Sequence, residues 1–81
     1  MRNNRSQIYD TKINIAAYIT GRLAEKLEIS REEALIKIMK TSTYEMLQDD
    51  DIELYLESRE HIYEMLIREL DGDLKPLLAV Q

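Results

Sequence analysis

A mainly α fold is predicted: a small bundle of three main helices plus a short one, with room for one short strand near residues 52–56. Three observations carry this expectation. The 81 residues are 44% hydrophobic and 33% charged, with only two glycines and one proline, a helix-forming globular composition. Apolar residues recur every fourth position at Ile15, Ile19, Leu23 and Leu27, the stripe of a helix with one buried face. Ser-x-x-Glu occurs twice in quick succession, at Ser30–Glu33 and Ser42–Glu45, the reciprocal capping signal of a helix start.

Residues 1–10 are polar, with Ile8 and Tyr9 the only apolar positions after Met1, and read as a flexible arm. The helical domain runs from 11 to 72. Its first helix starts with Asp10 or Thr11 as N-cap and carries the Ile15–Leu27 stripe. Gly21 inside it costs about 1 kcal/mol relative to alanine; it is either simply tolerated or marks the close approach of another helix. The second helix covers 31–39, with Leu35, Ile38 and Met39 as its buried face. Lys37 and Lys40 complement its C-terminal dipole. A short helix follows over 43–48 and stops at Asp49-Asp50-Asp51, three carboxylates that oppose the dipole.

Residues 52–57 admit two readings. Ile52, Leu54 and Leu56 alternate with Glu53, Tyr55 and Glu57, the period of a strand. Ile52, Leu56, Arg59, Tyr63, Leu66 and Leu70 also fit one helix from 52 to 70. Ser58 is a good N-cap and favours a short extended piece followed by a helix over 59–70. Such a strand needs a partner from the N-terminal arm or a second subunit to satisfy its backbone. Ile62, Met65, Leu66 and Leu70 form the stripe of the last helix. Asp71-Gly72 then supplies a glycine stop, and 73–81 is an apolar C-terminal tail in which Pro76 resists helix continuation.

Composition excludes several function classes. No cysteine is present, which removes disulfides, thiolate metal sites and cysteine nucleophiles. No apolar run approaches the roughly 18 residues of a membrane span, and the N-terminus lacks a signal peptide's apolar core; a cytoplasmic protein with no membrane contact is expected. Net charge is −5, unevenly divided. Residues 1–40 hold eight Lys/Arg against five Asp/Glu, and residues 41–81 hold three against eleven. The acidic second half suits a basic protein partner or a self-contact with the basic first half.

Asp49, Asp51, Glu53, Tyr55, Glu57 and Glu60 occupy positions 1, 3, 5, 7, 9 and 12 of a calcium-loop frame. Position 6 is Leu54 where the loop needs glycine, so an acidic linker is the expectation and no metal is assigned. Helices at 31–39 and from 43 imitate a helix–turn–helix, but TYEMLQDDD brings only Gln48 towards base edges, followed by three aspartates that repel DNA. Nucleic acid is therefore disfavoured. The competing function is a DNA-binding regulator using basic positions of the first half, among them Arg22 and Lys26. His61, the single histidine, lies among Glu57, Glu60 and Glu64 and reads as a solvated ring. HExxH, glycine-rich phosphate loops and GxSxG are all absent. Neither enzymatic activity nor a cofactor is expected.

The run ISREEALIKIMKTSTYEMLQD, followed by LYLES and IYEML, resembles a group of small, functionally uncharacterised bacterial domains that share IS-x-EEAL, S-x-TYE-x-L and LY-x-ES. The likeness covers about residues 15–70. This chain carries Ile52-Glu53 where a glycine-containing turn would be expected. The resemblance implies a small helical domain without assigned chemistry. Through toxin-like neighbours of some similar proteins, it also implies an antitoxin-like binding role. Tyr9, Tyr18, Tyr44, Tyr55 and Tyr63, with the LLAV tail, exceed what so small a core can cover, and Tyr44, Tyr55, Tyr63, Leu74, Leu77, Leu78 and Val80 form the expected protein interface. A non-catalytic, self-associating interaction protein is the resulting expectation, with a homodimer as its simplest form.

Overall fold

The computed structural model describes residues 5–79, with side chains over 6–72. The chain is mainly helical: α1 Arg5–Leu27, α2 Arg31–Met39, α3 Ser42–Gln48 and α4 Arg59–Ala79, with a short 3-10 turn at Leu54–Leu56 between the last two. One core joins them. Ile15, Ile19 and Leu23 of α1 meet Ala34 and Ile38 of α2, Leu47 of α3, Leu54 of the turn, and Ile62, Tyr63 and Leu66 of α4.

α1 begins earlier than the expected position 11. Thr11 is no N-cap: its hydroxyl donates to the Gln7 carbonyl one turn back, at 2.9 Å, a bond made inside a helix. Half-buried Ile8 and nearly buried Lys12 extend the Ile15–Leu23 stripe towards the N-terminus, so the first helix runs back into the segment expected to be an arm. Leu27, the last member of the predicted stripe, is exposed. The helix ends in a Schellman motif. Ile29 N–H donates to Ala24 O at 3.0 Å and Glu28 N–H to Glu25 O at 3.4 Å, with Glu28 at φ 57°. Glutamate here takes the left-handed conformation that glycine usually supplies, which is why the stop is hard to read from residue types.

The first capping box forms as predicted. Ser30 Oγ accepts from Glu33 N–H at 3.1 Å, and Glu33 Oε1 accepts from Ser30 N–H at 3.3 Å. The second does not form, because Thr41, one residue before Ser42, is the N-cap of α3. Its buried hydroxyl donates to Ile38 O at 2.6 Å and accepts from Tyr44 N–H at 3.1 Å, joining the end of α2 to the start of α3. The remaining free amides of α3 are reached from α4. Ser42 N–H donates to Glu69 Oε2 at 2.6 Å and Thr43 N–H to Glu69 Oε1 at 2.8 Å. Thr41 N–H itself donates to Ile38 O at 3.0 Å. All four N-terminal donors of α3 are thus matched.

No strand occurs among the described residues. Residues 49–53 make a tight turn instead: Asp49 Oδ1 accepts from Asp51 N–H at 2.9 Å, and Asp49 O accepts from Ile52 and Glu53 N–H. Glu53, at φ 60° and ψ 32°, is left-handed, at the place where the sequence pattern leads one to expect glycine. That reversal breaks the alternation of Ile52, Leu54 and Leu56, so only Leu54 is buried. Ser58 caps α4 as expected, accepting from His61 N–H at 3.1 Å.

α4 does not stop at Gly72. No glycine has positive φ, so Gly72 is an ordinary helical residue and the backbone stays helical through Pro76 to Ala79. A Cβ added at Gly72 meets nothing within 4 Å. Gly72→Ala should therefore stabilise the domain by about 1 kcal/mol, raising Tm by about 4–8 °C for a domain of this size; a thermal melt checks it. Gly21 differs. A Cβ there would lie 2.9 Å from Arg31 Nη1, so the close approach comes from the first side chain of α2.

Candidate functional site

Of the seven residues expected at an interface, the structure describes the side chains of three, Tyr44, Tyr55 and Tyr63. Tyr63 is 8% exposed and belongs to the core, which removes it from the interface set. With Ile62 and Leu66 it makes up the share of α4 in that core. Tyr44 and Tyr55 are half-buried and packed against that core, and the Lys12 ammonium lies 5.6 Å from the Tyr55 ring centre. Leu74, Leu77 and Leu78 are carried on α4 beyond the described side chains, and Val80 lies outside the described residues.

Among the described residues the large exposed apolar side chains are elsewhere. Leu35 and Met39, predicted to be buried, face outward, because α2 turns Ala34 and Ile38 to the core. Fully buried Ala34 lets the α2 backbone come close to α1. Ile36 and Met39 are 55% and 54% exposed, and Ile13 of α1 is 47% exposed. A shallow groove of about 320 Å³ runs between the two helices, flanked by Ile13 and Leu35 and floored by Ala16, Ala17 and Thr20. Tyr9 stands one turn before Ile13 and Met39 one turn after Leu35, so both extend the same face. Arg31 and Glu32 edge the groove. The signal for these residues was present: Ile13 and Ile36 are aliphatic but fall off the buried stripes of their helices.

A second cluster lies between α1 and α4. Arg22 stacks on Tyr63, its guanidinium carbon 4.4 Å from the ring centre, and donates Nη1–H to the Tyr18 hydroxyl at 2.7 Å. Arg59 stacks on Tyr18, also at 4.4 Å. The bond to Tyr18 raises Arg22 above its ordinary pKa, outweighing a small desolvation. Burial pushes the Tyr63 hydroxyl up, with Arg22 acting in the opposite sense.

No family model, curated protein or solved structure matches the chain.

The residues with reactive potential are engaged in structure or exposed. His61 is solvent-exposed in the first turn of α4. Among the described residues no three His, Asp or Glu side chains converge as a metal site would require. Asp49, first in the calcium-loop frame, is occupied as a turn former. α3, the counterpart of a recognition helix, has a carboxylate, Glu69, held at its N-terminus, which opposes approach to phosphate. Among the described residues no helix is long and apolar enough to cross a membrane.

Proposed function

We propose that this chain is a small non-catalytic interaction protein, working in the cytoplasm, that self-associates through the α1–α2 face. The observation that supports this reading is the contiguous exposed apolar surface formed by Tyr9, Ile13, Leu35 and Met39 around the groove. Covering an aliphatic side chain fully contributes about 1.5–3 kcal/mol, and surfaces of this kind mark protein contacts. A second copy is the favoured occupant. Arg31 and Glu32 are neighbours on the groove's edge, so a two-fold-related chain can set each Arg31 against the partner's glutamate.

Sedimentation analysis tests the proposal. The native chain should sediment as a dimer, and Leu35→Glu as a monomer with an unchanged helical spectrum, because the side chain is already partly in water. A native chain that stays monomeric at every concentration, or a Leu35→Glu variant that still dimerises, would refute the proposal.

A further inference from the structure

The Arg22–Tyr18–Arg59 cluster lies on the α4 side of α1, away from the groove, and stands independently of the self-association reading. Two guanidinium groups, from different helices, sit within 5.6 Å of one tyrosine ring centre. Arg22 is held additionally by the Tyr63 face and the Tyr18 hydroxyl. Stacking uses the flat face of a guanidinium and leaves its in-plane N–H donors for another acceptor. Among the described residues no carboxylate lies within 4 Å of Arg22. Arg59 meets only exposed Glu60, at 3.6 Å from Nε. In a chain with 16 acidic residues and 11 basic ones, two arginines gathered at one tyrosine ring with most donors unengaged are a prepared anion receptor.

We propose that Arg22 and Arg59 bind an acidic peptide segment of a partner protein, one carboxylate to each guanidinium. The planar fork matches a carboxylate through two parallel hydrogen bonds, and the Tyr18 ring between the two arginines fixes where each fork is presented. Phosphate-rich ligands fit less well. Glu25 and Glu60 flank the arginines, and with the net charge of −5 they repel any anion in proportion to its charge, which weighs more against a phosphate-rich polyanion than against a peptide bringing one carboxylate to each arginine.

Titration of the full chain by NMR, following backbone amides and arginine Nε–Hε signals, tests this. The probe is an acetylated, amidated hexapeptide of alternating glutamate and glycine; the glutamine counterpart and inorganic phosphate serve as controls. The glutamate peptide should give saturable shifts at Tyr18, Arg22, Arg59 and Tyr63. Affinity should fall at least about tenfold in the Arg22→Gln/Arg59→Gln double variant, the loss expected for two charged hydrogen-bonding groups. Should that variant fail to fold, Arg22→Lys/Arg59→Lys, which keeps the charge and loses the fork, should still bind more weakly than the native chain. Absence of saturable shifts, equal affinity in the variant examined, or an equal response to the glutamine peptide or to phosphate would overturn the assignment.

Discussion

Glu69→Ala should destabilise the domain by about 2 kcal/mol, the scale of a lost charge-assisted cap. Its carboxylate accepts from two backbone amides of α3 and, at 2.8 Å, from the Thr43 hydroxyl, so its removal strands three donors and unties α4 from α3. Desolvation alone would raise the pKa of Glu69. The hydrogen bonds from Ser42 and Thr43 outweigh it and hold the group below its ordinary value of 4.5. The sign of the pH dependence follows. A carboxyl whose folded pKa lies below its unfolded one binds fewer protons when folded, so its contribution is complete above pH 4.5 and is lost as pH falls through the folded value. Glu69→Gln should flatten that acid limb as well as lower stability near neutrality. Denaturant melts across the acid range and at neutral pH measure both effects.

Lys12→Ala should cost about 2–3 kcal/mol through lost charged hydrogen bonding and lost stem burial. Lys12 crosses from α1 to the end of α3, donating to Gln48 O at 2.9 Å and pairing with Asp50. The Gln48 carbonyl closes α3, where a cation is favoured by the helix dipole. Lys12→Met keeps the apolar stem and removes only the charge, so it should recover part of the loss. Equal destabilisation by both variants would place the whole effect in the ammonium group. Urea midpoints with unchanged slopes are the appropriate readout.

Local signals were legible where one residue type performs one task. Ser30 with Glu33, Ser58 before α4, and the Ile15–Ile19–Leu23 stripe all do in the fold what their spacing predicts. At the start of α3 a tertiary partner took over a local role. Glu69, 26 residues beyond Thr43, supplies the acceptors that Ser42–Glu45 was expected to organise, and no window of sequence contains that contact. Glu28 and Glu53 adopt left-handed conformations without being glycine, so two chain reversals carry no residue-type signature. Gly72, which has that signature, is helical. Among the described residues the exposed apolar surface differs from the expectation for a further reason. Tyrosine was read as surplus apolar surface, whereas Tyr63 fills the core and Tyr18 and Tyr63 seat arginines. The surplus instead comes from aliphatic residues displaced from the buried stripes when α2 turned Ala34, rather than Leu35, inward.

Methyl signals followed over a dilution series test most directly whether a second copy of this chain covers the α1–α2 face. Concentration-dependent shifts are expected at Ile13, Leu35, Ile36 and Met39, with the core methyls of Ile19, Ile38 and Ile62 unmoved. Shifts that do not change with dilution, or that change at Ile52 and Leu56 and leave the groove unaffected, would contradict it.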